Sequence, residues 1–341
     1  DGRLLAAVAT SSRTFSIIPY PSNAGNTMDF TLPVPDLAAE RQGNTDTPGV
    51  WHFDSGVPGR ALMLSALVHG NELCGAWALK DLLAAGLRPR RGRLTLAFCN
   101  LPAFDRFDLA RHDASRFVDE DMNRVWSAAR LDNPTSSDCR RAAQLRPWVE
   151  RADWLLDLHS MHEPGAPLLL TGVLPRNIAL ARRLKAPQHV IVDAGHKDGV
   201  RMRDFAQFGD PARDEACALL IECGFHGDPA ARGVARDMVA RMLVESGVVD
   251  AGDVPAGWRL PDAVGQRVLE VTDAVVAPSM NVRFSQPWQG LETLETAGSE
   301  IGRADGQAIV TPYDHCTLVM PSLRQLKPGV TVLRLARDYT G

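Results

Sequence analysis

Apolar residues in this chain arrive in short blocks, and several blocks run straight into a histidine or a glutamate. Over residues 62–68 (LMLSALV) six of seven positions are apolar, which predicts a strand buried on both faces in a parallel sheet. His69-Gly70-Asn71-Glu72 follows at once. From Leu73 the period changes. Leu73, Ala76, Trp77, Leu79, Leu82 and Leu83 fit an apolar-faced helix ending near Gly86. Residues 93–99 predict a second strand, broken by Asn100 and Pro102. A helix over 136–151 precedes a buried strand at 154–158 that closes on His159. A short strand at 167–171, a helix near 175–184 and a strand at 189–192 come next. The run CALLIE at 217–222 reads as one more apolar strand, ending in Glu222, and 228–246 as a helix.

The lead-in, residues 1–50, carries Pro19, Pro21, Pro33, Pro35 and Pro48 and predicts little beyond a short strand or helix near its start. It leads to a strand at 50–53, joined to the next by a turn over Asp54-Ser55-Gly56 and Pro58-Gly59. Strands alternating with helices over about 50–247 argue for an α/β layered domain. After Gly247 the pattern shifts to a Gly- and Pro-rich stretch (Gly252, Pro255, Gly257, Pro261). Short β-rich runs at 268–276, 308–310, 316–320 and 330–335 follow. The expected division is a hydrolase-type domain over 1–250 and a small all-β domain over 255–341.

Composition narrows the field. At 341 residues, 45% apolar and 23% charged, the chain can bury a sizeable core and resembles an ordinary globular protein. A net charge of -4 and the lack of a basic cluster interleaved with aromatics argue against nucleic acid. No apolar run reaches the ~20 residues that span a bilayer, and no signal peptide is evident. The six cysteines are scattered with no C-x-x-C pair, which favours small buried hydrophobes in a reducing, cytoplasmic setting over disulfides. Oligomeric state is left open.

The chemistry concentrates at strand ends, where the loops of an open α/β sheet converge on a crevice. His69, Glu72 and His159 make a two-His, one-carboxylate set, one that a catalytic zinc takes while leaving a position for water. Taken singly, His159 reads more simply as a satisfied histidine. Asp157, beside it, suits an acceptor for an imidazole N–H. His162 is a competing ligand in the following loop. Glu222 reads either as a capping acid or as a general base lifted by apolar neighbours. The segment 116–124 (RFVDEDMNR) is a solvated charged turn or a source of guanidinium groups for an oxyanion or a substrate carboxylate.

HGNE at 69–72, RFVDEDMNR at 116–124, DLHS at 157–160 and IECG at 221–224, in that order and with the histidines about ninety residues apart, resemble the succinylglutamate desuccinylase/aspartoacylase family of zinc carboxypeptidase-like amidohydrolases. The resemblance spans roughly 50–250, and the β-rich tail is similar to the small C-terminal domain of aspartoacylases. It implies a three-layer α/β/α domain with one Zn2+ per chain on His69, Glu72 and His159. It implies Glu222 as base and proton shuttle and Arg116 as the group that polarises the acyl carbonyl. Asn123, Arg124, Arg213 and Tyr313 would bind substrate, with Arg124 on a carboxylate. The stretches DPARDEA around Arg213, MHEPGAP after Ser160 and CGFH after Glu222 depart from the aspartoacylase pattern, so the substrate is left undetermined. The implied activity is hydrolysis of a small N-acyl amino acid. The alternatives are a metallocarboxypeptidase acting on a C-terminal residue and a non-catalytic metal- or ligand-binding protein.

Overall fold

The computed structural model describes residues 29–195 and 198–341. The strand or helix expected near the N-terminus lies outside them. In chain order the elements are β1 (Val50–Asp54), β2 (Ala61–Ala66), α1 (Leu73–Ala84), β3 (Arg93–Phe98), the one-turn α2 (Leu101–Phe104), α3 (Ala128–Asp132) and α4 (Ser137–Glu150). Then come β4 (Trp154–Met161), β5 (Leu168–Leu170), α5 (Pro175–Leu184), β6 (His189–Val192), β7 (Cys217–Phe225) and α6 (Pro229–Glu245). The C-terminal part adds β8 (Arg267–Val276), β9 (Val282–Phe284), β10 (Thr293–Leu294), β11 (Glu300–Ala304), β12 (Gln307–Val310), β13 (Cys316–Val319) and β14 (Thr331–Asp338).

One 11-stranded sheet runs β1-β3-β2-β4-β7-β5-β6-β8-β14-β13-β10. Its middle is parallel: β3, β2, β4 and β7 point the same way. Alternate residues of these strands serve opposite faces. Leu62, Leu64 and Ala66 of β2, with Leu156 and Leu158 of β4, pack under α1, α5 and α6. Met63 and Leu155 face the other way, against Leu131 of α3 and Cys139, Ala142 and Leu145 of α4. Helices on both faces of a mostly parallel sheet make three layers. Gly75 of α1 explains how close the first layer comes: a Cβ there would lie 2.7 Å from Leu158 Cβ and 2.9 Å from Ala66 Cβ.

The change of character near 250 does not interrupt the sheet. β8 pairs in parallel with β6, and β14, β13 and β10 extend the sheet beyond it. A small core of Met161, Leu168, Ile191, Leu220, Leu269, Val319 and Ala336 spans the junction. A further core built of residues after 276 lies under the separate three-stranded sheet β12-β11-β9. Strands β9, β10 and β11 escape the sequence pattern because they are short and half-exposed. All six cysteines are buried and unpaired. Among the described residues no helix is long and apolar enough to cross a membrane.

Candidate active site

Strands β2, β4 and β7 end on one edge of the sheet, and each delivers a polar residue there. Past β2 the chain takes a left-handed turn at Leu67 (φ 58°), a conformation costing a leucine about 1–3 kcal/mol. Neighbouring backbone holds it: the Asn100 N–H donates to the Leu67 carbonyl at 2.7 Å. Gly70 lies in the turn between His69 and Glu72, closed by the Glu72 N–H on the His69 carbonyl at 3.2 Å, and serves a second purpose as well. A Cβ there would lie 2.4 Å from Ser115 O and from the Ala103 carbonyl carbon, and its N–H donates to the Arg116 carbonyl at 3.0 Å. The missing side chain admits the segment that carries Arg116.

His69, Glu72 and His159 each bring one ligand atom to a group in which all lie within 4.8 Å of one another. Glu72 sits between the rings, with Oε1 2.8 Å from His69 Nδ1 and Oε2 2.8 Å from His159 Nδ1. The outer nitrogens are held too: His69 Nε2 lies 2.9 Å from Asp121 Oδ1, and His159 Nε2 lies 2.8 Å from Asp157 Oδ2. Ser65 Oγ donates to Asp157 at 2.7 Å, which fixes that carboxylate in turn. Each ring therefore faces a carboxylate on both sides. Burial disfavours a charged His159, yet Asp157 and Glu72 together outweigh it and hold the imidazolium well above its ordinary range. Burial likewise opposes ionised Glu72, and His69 and His159 overcome it, keeping the carboxyl well below its ordinary range. A dication fits this donor set. In place of the inner protons it would leave each imidazole neutral, with its outer N–H given to Asp121 or Asp157, the arrangement found behind metal-bound histidines.

Glu222 lies directly across from His159 in the β4–β7 register. Beyond this pair the register slips, so that Phe225 rather than the next residue but one faces Met161. Gly224, at φ 110°, makes the slip, a bulge of the kind that re-aims side chains beside sites. Glu222 is buried and its Oε2 has no hydrogen-bond partner. Burial first, and then the charge of Glu72, lift its carboxyl well above the ordinary range.

Arg116 donates through Nη1 to Glu72 Oε1 at 3.1 Å and through Nη2 to Asp121 Oδ2 at 3.3 Å. The charged segment that holds it is no loose turn. Buried Asp138, in the first turn of α4, accepts the N–H groups of Val118, Asp119 and Glu120 at 3.1, 2.7 and 3.1 Å. Arg130 donates to Glu120 at 2.6 Å.

The pocket above the cluster is lined by Arg116, Asn123, Arg124 and Glu222, and also by Asp193, Arg201, Gln289, Met320 and Arg334. Asn123 Oδ1 accepts the Met202 N–H at 3.0 Å, and Arg124 Nε lies 3.3 Å from Asp198. The C-terminal part closes over one side, where Arg324 donates to Glu163 at 2.9 Å. Two expected substrate contacts fall elsewhere. Arg213 sits in the turn before β7, lining a surface hollow with Glu150 and Asp214. Glu222 is at the other end of that strand; five residues at ~3.3 Å of rise put ~17 Å between Cys217 and Glu222 alone. Tyr313 turns its hydroxyl to Thr272 Oγ1 at 2.7 Å and packs in the C-terminal core. His162 is not among the first ligands; it joins Asp113 and His226. Asp121 joins the site unannounced, although it lies inside the RFVDEDMNR stretch, and so do Arg201 and Arg334, which no local pattern marks.

Comparison with known proteins settles the family. The profile of the succinylglutamate desuccinylase/aspartoacylase catalytic domain matches residues 58–213. The succinylglutamate desuccinylase of Burkholderia cenocepacia is 32% identical over 302 residues, covering 82% of each chain. The chain belongs to the succinylglutamate desuccinylase/aspartoacylase family. A shorter match to the succinylglutamate desuccinylase of Pseudoalteromonas atlantica is 31% identical over 137 residues and covers 37% of that protein. The fold of this family member is shared with a succinylglutamate desuccinylase/aspartoacylase crystal structure from Rhodobacter sphaeroides, at TM-score 0.61 and 19% identity over 84% of this chain and 87% of that one. The family is one of hydrolytic deacylases. Glu222 lies beyond the profile match, so its assignment to the site rests on its register with His159.

Proposed function

We propose that this chain is a zinc-dependent amidohydrolase that removes the acyl group from a small N-acyl amino acid. The observation that carries the reading is Glu222, a buried carboxylate with an unpartnered oxygen, set across from His159 at the rim of the His69–Glu72–His159 cluster. A module that only held an ion would have no use for it. Zinc on His69, Glu72 and His159 would supply a Lewis acid for the acyl carbonyl and make a nearby water more acidic. Glu222 takes a proton from the attacking water and returns it to the departing amine nitrogen. Arg116 donates to the acyl oxygen as negative charge grows on it. Arg124 holds a substrate carboxylate and Asn123 positions the substrate; Arg201 and Arg334 add positive charge to the same wall. Arg213 and Tyr313 have no part in this reading.

The test is a deacylation screen over N-acetyl and N-succinyl amino acids with zinc-loaded protein, run beside a tripeptide series. Turnover of one or more acyl amino acids with the tripeptides left intact supports the reading. Release of C-terminal residues from the tripeptides would favour a metallocarboxypeptidase, and inactivity on both sets would favour a binding protein.

A further inference from the structure

A second group of ligand-type side chains lies beside the first, and the amidohydrolase reading makes no use of it. Asp113, His162 and His226 come from three separate places: the 3-10 stretch Leu109–Ser115, the loop after β4 and the loop after β7. One ligand atom from each lies within 4.8 Å of the other two. His162 Nδ1 is 3.2 Å from Asp113 Oδ1 and 3.2 Å from His226 Nε2. Ligands held ~2.0–2.1 Å from a tetrahedral zinc stand ~3.3 Å from one another, so these two separations suit a shared ion.

Proton counting points the same way. Arg116 Nη1 lies 3.4 Å from His162 Nε2 and can only donate, so neutral His162 keeps its lone pair there and its one proton at Nδ1. Asp113 Oδ1 and His226 Nε2 both face that single proton. His226 is fully buried, and its far nitrogen, Nδ1, is fixed by Ser160 Oγ at 2.8 Å. Such a partner on the far nitrogen is what orients a metal-bound imidazole. A further imidazole stands at the edge: His112 Nδ1 is 3.3 Å from Asp113 Oδ1, buried and without a hydrogen-bond partner.

We propose that Asp113, His162 and His226 hold a second divalent transition-metal ion of the zinc type, separate from the ion on His69, Glu72 and His159. Two imidazoles and a carboxylate suit such ions. Arg116 stands between the two clusters, in reach of His162 on one side and Glu72 on the other, so the pair is not a joint two-metal catalytic centre. The second ion ties the segment bearing Arg116 to the ends of β4 and β7. Binding at Nδ1 moves the His162 proton to Nε2, and Arg116 Nη1 then loses that acceptor and keeps Glu72. Occupancy thereby sets where the guanidinium points.

The experiment counts metal, not turnover, so it stands or falls apart from the amidohydrolase reading. The full chain is saturated with zinc, freed of excess and analysed by atomic emission. Wild type should carry two equivalents. Asp113→Asn, at a part-exposed position, and His162→Gln should each carry one, and His69→Ala should lose only the other. The equivalent retained in each variant also reports that the variant is folded. Cobalt titration of the wild type gives a reading that needs no variant, since the second equivalent should raise visible bands of its own. A wild type that stops at one equivalent in both titrations, or a second equivalent that survives either substitution, overturns the proposal.

Discussion

On the floor of the pocket, all four ring nitrogens of His69 and His159 lie within 2.9 Å of a carboxylate oxygen. On its wall, Arg124 Nε stands 3.3 Å from Asp198, while Arg201 Nε lies 2.6 Å from Asp204 and Arg334 Nε 3.0 Å from Asp193. The floor comes from the ends of packed parallel strands and is braced from behind by Asp157, Ser65 and Asp121. The wall comes from loops and from the C-terminal strands, and of its three arginines Arg124 is the most loosely held. Placement to a fraction of an ångström suits groups that must meet a reacting atom, whereas Arg124 has only to grip a substrate. The difference predicts that floor substitutions act on metal content and kcat, and wall substitutions on KM.

The largest effect is expected at Glu222. Glu222→Gln keeps the shape and removes the base, so zinc content should be unchanged while kcat falls ~10²–10⁴-fold. The same residue sets the acid side of the pH profile. A base must be ionised to accept a proton, and burial together with Glu72 raises the Glu222 carboxyl above its ordinary range. Activity should therefore fall with decreasing pH already above the ~4.3 of a free glutamate, and Glu222→Gln should lack that limb. Unchanged kcat in a metal-replete sample would remove Glu222 from the floor altogether.

This contrast also explains what the sequence made legible. His69, His159 and Glu222 each follow an apolar run, Glu72 stands three residues past His69, and strand ends in a parallel sheet converge, so composition and order were enough to gather them. Asp157 was readable for the same reason, being two residues from His159 on one strand. Arg201 and Arg334 were not readable, because nothing in the local pattern says which loop or distant strand comes back over the pocket. Arg334 reaches it only because β14 joins the sheet through β8, a pairing between segments far apart in the chain. Of the two readings of 116–124, the solvated turn is set aside by Asp138, whose three backbone contacts depend on how α4 packs. The close approach at Gly70 was not readable, since contact between distant segments leaves no trace in the residues beside it.

A smaller effect sharpens the bracing of the floor. Asp157→Asn preserves the volume of a fully buried side chain and weakens the acceptor for the His159 outer N–H. Loss of such a partner typically costs ~10–100-fold in metal affinity. A competition titration with a chelator should read that loss, with a thermal melt to show that the fold persists. Undiminished affinity would mean that Asp157 only fills space behind the ring.

The wall should respond differently. Arg124→Met keeps much of the side-chain length and removes the cation. A hydrogen bond to a charged group is worth about 1.5–3 kcal/mol, so KM for an acyl amino acid should rise about ten-fold or more, with kcat nearly unchanged. Steady-state kinetics on the best substrate of the screen would show this split. A fall in kcat at constant KM would place Arg124 with the floor and erase the distinction between the two regions.

The smallest effect tests position against residue type. Arg213 is an arginine close in sequence to the strand bearing Glu222, and on residue type alone it would rank with Arg124 as a carboxylate clamp. It is exposed, its turn is closed by bonds from Arg213 N–H to the Asp210 carbonyl and from Ala216 N–H to the Arg213 carbonyl, and it faces a hollow with Glu150 and Asp214. Those backbone bonds do not need the side chain. Arg213→Ala should therefore leave kcat and KM unchanged and, as a surface substitution, shift stability by no more than about 0.5 kcal/mol. Measured beside Arg124→Met on one substrate, the pair separates the two explanations cleanly, because both changes remove one positive charge from the chain. A comparable rise in KM in both would mean that long-range charge, and not contact at the wall, draws the substrate in, and raising the salt concentration should then abolish both effects.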